Sequence, residues 1–460
     1  MQNDIYSITK NSIQKTVLLL SLLTIISPTL AEERDRSKET LIWLENDSLR
    51  LGANLSLGGA ITHVGPAGSS LNVVNNHDWG RQVQMSFYSG PVPYEPGGKK
   101  PKEHWAGLGW NPIQSGDCYN NRSQVLSHEL RDGELHVICK PMHWPLDNVP
   151  GECTFESWIR LEGNTARVRA RLNNARPDTT WFGAHGQELP AVYTNGVYYR
   201  LMTYTGDAPY TQGALERITQ KTEPGFPWKF WNATEHWAAL VNEEDWGLGI
   251  VMPASTRFCG GFSGKEGSGG TLDAPTGYIA PLGKEELDHN ITYDFEYVLV
   301  LGKLEEIRRV AEAVTKPAGP PAWTFARDRQ SWTYADARDT GWPIQGALDV
   351  QATGPAPRLL SPTVFWRAET AKQLEIVLAN PGEERNLRVC WRRHGEEEFK
   401  EGNCLSLPLA KHEEMRTYQF DLYRAAEYSG GMLQLKLDFP GAQAPAPGPL
   451  LKVASVRLLP

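Results

Sequence analysis

CTFESWIRLEGNTARVRARLNN, residues 153–174, alternates apolar and polar side chains on both sides of Glu162-Gly163-Asn164. A period of two is the pattern of a strand with one buried face, and a Gly-centred break is a turn. The stretch therefore reads as a β-hairpin. In ARVRARL (166–172) the residues Arg167, Arg169 and Arg171 share one face. That face is either a solvated sheet surface or a basic lining for an acidic sugar.

The pattern extends in both directions. SQVLSHELRDGELHVICKPMHW (123–144) carries two strands around Arg131-Asp132-Gly133, an Asp-Gly hairpin signal. LIWLEND (41–47), LRLGANLS (49–56) and GGAITHVGP (58–66) are short strands, with a tight turn at Gly58-Gly59. Residues 66–123 between these regions read as long loops, a length that is usually functional in a compact domain. Further on, NATEHWAALVNEEDWGLGIVMP (232–253) pairs two strands around Glu243-Glu244-Asp245, and DFEYVLVLG (294–302) is another strand. LEEIRRVAEAV (304–314) is the exception. Leu304, Ile307, Val310, Ala311 and Val314 form one stripe of a helix. TKPAGPP (315–321) is a semi-rigid connector. After it come LEIVLAN, LRVCWRR, CLSLPL, TYQFDL, MLQLKLDF and LLKVASVRLL, spaced as in a sandwich or jelly roll. The expected organisation is a β unit over 32–315, a linker at 316–322 and a second β unit over 323–460.

Composition narrows the class. A chain of 460 residues holds two or three domains, and its 16 Trp, 43 Gly and 32 Pro suit an aromatic-rich all-β protein. The formal charge of -8 with no basic block excludes nucleic acid as a natural partner. At the N-terminus, Lys10 and Lys15 precede the run Val17 to Ile26, and Thr29-Leu30-Ala31 resembles a small-residue cleavage site. Residues 1–31 read as a signal peptide, giving a secreted or periplasmic protein with no membrane anchor. Export permits disulfides among Cys118, Cys139, Cys153, Cys259, Cys390 and Cys404. Cys390 and Cys404 flank a hairpin and are expected to pair; Cys139 and Cys153 are a second candidate pair. No CxxC spacing points to zinc, and no metal or other cofactor is expected. Sequons stand at Asn46, Asn54, Asn121, Asn232 and Asn290. The sequence leaves the oligomeric state open.

The loop region concentrates chemistry. NNHDWGRQVQMSFYSGPVPYEPGGKKPKEHWAGLGWNPIQSGD (75–117) mixes amides, charged groups and flat aromatic rings. Amides and charges bond sugar hydroxyls, and aromatic planes cover the C–H faces. This segment is expected to line a carbohydrate cleft. Arg81, Gln84, Tyr88, Trp110, Asn111 and Gln114 are its candidate substrate-binding residues, with His236 and Trp237 from the later strand pair. Arg81 could instead pair with Asp78 to hold the loop.

GGAITHV, DWGRQVQMSFYSGP, GWNPIQSGD, QELPAVY and TEHWAALVNEEDWGLGIVMP resemble exported bacterial proteins with a galactose-mutarotase-like domain, over roughly 40–315. The resemblance implies an antiparallel supersandwich of two large stacked sheets, with a sugar cleft on the concave face. WTFARDRQSWTYADARDTGW, WRAETAKQLEIVLAN, LRVCWRR and YQFDLYRAAEYSGGMLQLKLDF are similar to the carbohydrate-binding-module-like jelly rolls appended to sugar enzymes. The family includes epimerases, lyases and accessory domains of hydrolases, so the reaction must come from the site. Asn76-His77 matches the aldose epimerase motif only superficially, since Asp-Trp-Gly-Arg follows it.

Hydrolysis needs an acid and a base or nucleophile, elimination a base and a carboxylate neutraliser, and epimerisation an acid–base pair. His185 and Glu188 are the first candidates, at a strand entry. Glu235 beside His236 comes second, and Asp117 with Gln114 and Asn111 third. The leading expectation is an exported enzyme cleaving glycosidic bonds of a polysaccharide or oligosaccharide, hydrolysis ahead of β-elimination. The alternatives are a non-catalytic sugar-binding protein and an aldose epimerase.

Overall fold

The structure is a computed structural model and describes residues 38–219, 228–440 and 450–460. The expected signal peptide at 1–31 and the Pro-rich tract at 445–449 lie outside the described residues. The fold is all-β and antiparallel, as the alternating segments require. A nine-stranded sheet is built around Thr165–Asn174, flanked by Cys153–Glu162 and Thr292–Lys303. A seven-stranded sheet runs in the order Lys229–Asn232, Arg257–Ser263, Thr276–Glu286, Ala184–Asn195, Gln84–Ser86, Pro112–Ile113, Met142–His143. The two stack as a supersandwich. Val168, Ala170 and Leu172 of the larger sheet share one core with Val192, Phe258 and Ile279 of the smaller. Fully burying one such side chain stabilises the fold by roughly 1.5–3 kcal/mol.

Local chemistry explains the turns. Asp132 and Gly133 both take positive φ, 52° and 77°, which is the two-residue turn that matches strand twist. Arg167 and Arg171 lie on the outer face of the nine-stranded sheet and pair with Glu162 and Asp294; Arg169 stands 4.3 Å over the Trp158 ring. This is the solvated sheet surface of the two readings. The expected helix spans Leu304–Thr315 and buries Leu304, Ile307 and Ala311 against Trp237, Val251 and Val300.

Two expectations are corrected. The region read as long loops also contains the strands Gln84–Ser86 and Pro112–Ile113. Segments of two or three residues are too short to show a period. Cys139 and Cys153 are both free and buried. The ladder sets Cys139 opposite Phe155, two residues past Cys153, so the two thiols are not facing partners. Cys390 and Cys404 do form a disulfide, across directly opposed positions of Arg385–Arg393 and Cys404–Leu409.

The remaining strands, from Ala322 to Leu459, form two six-stranded sheets around a separate core that includes Trp332, Trp366 and Trp391. Buried Arg329 ties this sandwich to the first unit. It bonds Asp339 of its own sandwich and Asp288 of the first unit, the latter at 2.5 Å. Thr256 is pinned to the Thr363 carbonyl at 3.0 Å through its hydroxyl.

Candidate active site

One strand positions the centre of the site. Along Ala184–Asn195, Glu188 opposes Leu282 while Val192 opposes Ile279, so four steps match three on the neighbour. On its other side Glu188 opposes Ser86 and Ala191 opposes Gln84. The extra residue is a β-bulge, and it re-aims side chains. Without it, Glu188 would point away from Ala191 and Tyr193. With it, all three line one cavity on the outer face of the seven-stranded sheet. Tyr193 also packs there with Tyr278, Ala280, Cys259 and Trp228.

The cavity holds about 560 Å³, open space at its mouth included. Gln84, Ser86 and Glu188 form its floor, Tyr88 and Asn111 one side, and Trp105 and Trp144 an aromatic wall. The two indoles meet edge to face at 5.9 Å. Half-exposed Asp78 and buried Arg81 also line it and pair at 3.0 Å. Arg81 also donates to the Ala274 carbonyl at 2.6 Å, and Asp78 accepts from the Gly80 amide at 2.9 Å.

Glu188 is the chemically distinctive group. Burial pushes its carboxyl up to about 7, against hydrogen bonds from Tyr278 and Tyr88 that favour the ionised form. Burial and the Glu188 charge drive the Tyr88 phenol well above its ordinary value. The pair is thus a carboxyl that holds its proton more readily than an ordinary one beside a phenol kept neutral. Asn111 donates to the Phe87 carbonyl at 2.9 Å, while its Oδ1 is buried with no protein donor. A buried acceptor without a partner is costly unless a ligand supplies one.

The sequence candidates separate into two groups. Arg81, Gln84, Tyr88, Asn111 and Glu188 meet at the cavity. The others lie away from it. His185 sits opposite Glu285, three positions from Glu188 and so on the other face of the strand; burial lowers its pKa. Asp117 is spent on its own loop, accepting from the amides of Tyr119, Asn121 and Asn148 and from the Asn121 side chain. Gln114 joins the Met85 amide to the Gly58 carbonyl. Trp110 is fully buried and donates to Glu152 at 3.0 Å. Glu235 is clamped by Arg308 of the helix at 2.8 Å, and Trp237 is buried under that helix. His236 turns the chain with φ 62°, and burial lowers it to about 4. Tyr193, Tyr278 and Trp144 are site residues that the sequence reading missed. Strict alternation would have put Glu188 and Tyr193 on opposite faces, and nothing local marks Trp144.

No protein-family model and no curated protein matches this chain. Solved structures similar to it include a galactose mutarotase-like protein from Lactobacillus casei, at 14% identity and a TM-score of 0.36. That match covers 57% of this chain and 100% of the other. A galactose mutarotase related enzyme from Lactobacillus acidophilus is similar at 12% identity, over 57% of this chain and 97% of the other, with a TM-score of 0.33. A 4-alpha-glucanotransferase from Thermococcus litoralis is similar at 11% identity and a TM-score of 0.32, over 58% of this chain and 38% of its own. These are likenesses of fold, and no residue role is carried over from them.

Proposed function

We propose that this protein hydrolyses glycosidic bonds of a polysaccharide or oligosaccharide at the Glu188 cavity. The observation that carries the reading is a buried carboxyl, raised to about 7, on the floor of a cavity walled by Trp105 and Trp144. A carboxylic acid that keeps its proton near neutrality can give it to a leaving glycosidic oxygen. Asp78, which lines the same cavity and is ion-paired with Arg81, is the second carboxylate, in the role of base or nucleophile. Asn111 Oδ1 takes a sugar hydroxyl, and the indoles stack on the ring. The sandwich over 323–460 acts as an accessory glycan-binding unit. On the pattern of residues 1–31, the protein works outside the cytoplasm.

Elimination is less well supported, because Arg81 is the cavity's cation and is already engaged by Asp78 and Ala274. One observation favours a second reading. The hydrogen-bonded pair of Glu188 and Tyr88 could exchange protons at an anomeric centre, as an epimerase requires. A glycan panel separates these outcomes: new reducing ends for hydrolysis, ultraviolet absorbance as well for elimination, and anomer interconversion alone for epimerisation. The E188Q variant is expected to lose roughly 10²–10⁴-fold of the reducing-end rate. Full activity in E188Q would refute the assignment.

A further inference from the structure

Two hydrogen-bonded chains meet at the Glu188 carboxyl, and both run towards it. The first starts at Asn111, whose side-chain amide donates to the Phe87 carbonyl at 2.9 Å and to the Ser86 hydroxyl at 3.3 Å. A carbonyl only accepts, so Phe87 fixes which end of the amide faces this way. Ser86 therefore accepts from Asn111 and keeps its own proton to give. Ser86 stands directly opposite Glu188 in the ladder, and Tyr88, two residues further on, lines the same cavity. Against burial, which raises the Tyr88 phenol, the Ser86 bond favours its ionised form, so Ser86 is the donor. Tyr88 in turn donates to Glu188.

The second chain comes from the neighbouring strands. Tyr278 opposes Tyr193, and Cys259 packs against it on the same face. The Cys259 thiol donates to the Tyr278 hydroxyl at 3.9 Å, and Tyr278 donates to Glu188. Asn111, Ser86, Cys259 and Tyr278 are each at most 2% exposed, so water does not compete for these groups. In so dry a network each bond polarises the next. The other titratable groups on the cavity are the Asp78–Arg81 ion pair and Tyr193, and exposed Lys284 stands two residues past Leu282, the neighbour of Glu188.

A protonated Glu188 thus meets two phenols that are both donors. Neither accepts its proton, and the open direction is the cavity, where a glycosidic oxygen would take it. We propose that Ser86, with Asn111 behind it, is a positioning residue: by holding Tyr88 as a donor it keeps the acidic proton of Glu188 aimed into the cavity. The inference rests on the reading of Glu188 as the general acid, and deepens it by saying how the proton is directed. Without the Ser86 hydroxyl, Tyr88 is released to turn and accept from Glu188. That bond stabilises the neutral carboxyl and withdraws its proton from the substrate.

The test follows the protonated carboxyl of Glu188 in the full chain by infrared difference spectroscopy, with E188Q as the blank that isolates its band. The band is expected to titrate at about pH 7 in the parent and about one pH unit higher in S86A, the size expected for one hydrogen bond to an ionised group. S86T keeps the hydroxyl and is expected to keep the midpoint. An unmoved midpoint in S86A, or equal shifts in S86A and S86T, would overturn the proposal. If the Ser86 variants melt early, Y88F decides the first chain, with a rise of about one unit expected. C259A beside C259S decides the second: the alanine raises the midpoint, and the serine, still a donor, holds it. No shift in Y88F, or equal shifts in the two Cys259 variants, counts against the proposal in the same way. Rates supply the directional readout. At about pH 5 the carboxyl is protonated in every variant, yet S86A should release reducing ends about tenfold more slowly. Equal rates there, with E188Q inactive, would remove the positioning role. If E188Q instead keeps full activity while S86A still moves the midpoint, the donor chain stands and the assignment of Glu188 as the acid falls.

Discussion

Glu188 has two phenols for neighbours and almost no water, so its proton stays on until about pH 7. If it is the general acid, the rate must fall as pH rises through that value, because the ionised form has no proton to give. A pH–rate profile of kcat/KM checks this, and E188Q should abolish that limb. Asp117 gives the contrasting prediction. Its carboxylate accepts hydrogen bonds that hold the loop, so D117N should lower stability by roughly 1–3 kcal/mol and leave the shape of the pH profile unchanged. Denaturant titration beside the rate profile distinguishes the two effects. The comparison also shows what the sequence could reveal at this scale. Arg81, Gln84, Tyr88 and Asn111 could be named as candidates from the sequence because sugar-binding side-chain types crowd the 75–117 segment, and Glu188 because it stands with His185 at a strand entry. Asp117, Gln114 and Trp110 have the same chemistry, but the donors and carbonyls within their reach belong to the protein itself. That difference is tertiary, and no local pattern announces it.

Among the elements, the bulged strand and the single helix carry the most. Deleting Ala191 would remove the extra residue and turn Glu188 or Tyr193 to the opposite face. The expected result is a folded protein without activity, and the check is melting measured beside reducing-end release. The helix is held by a buried ion pair between Arg308 and Glu235. R308A should cost about 3–5 kcal/mol, because it leaves a buried carboxylate uncompensated. The disulfide Cys390–Cys404 closes a short loop, with a sequence separation of 14, and its removal should cost roughly 3 kcal/mol. Hairpins and helix were readable because turn chemistry and periodicity are local. The bulge was not, since one additional residue leaves a strand looking like a strand.

At the level of the whole molecule, Arg329 is the bolt between the units. R329A should split a single calorimetric transition into two, one for each sandwich. The junction also titrates. Burial raises Glu285 and Glu286 to about 7 from an ordinary 4.5. Folding therefore favours their protonated forms, and their contribution is complete below about pH 4.5 and lost as pH rises to about 7. Asp339 works in the opposite sense. Against the cost of burial, the Arg329 hydrogen bond and charge hold it low, so its share is lost only as pH falls into the acid range. The melting temperature should accordingly decline between about pH 5 and pH 7 and decline again in strong acid. The two-sandwich layout was legible from the connector at 315–321, but the junction was not, because its partners are remote in sequence. That remoteness also has a meaning in time. The Tyr88 amide finds Gln187 only after 99 further residues. At about 5–20 residues per second, the first wall of the cavity waits roughly 5–20 seconds on the ribosome for its floor. An assembly with so long a delay is open to capture by chaperones, and synthesis speed becomes one of the determinants of how much working site a cell obtains.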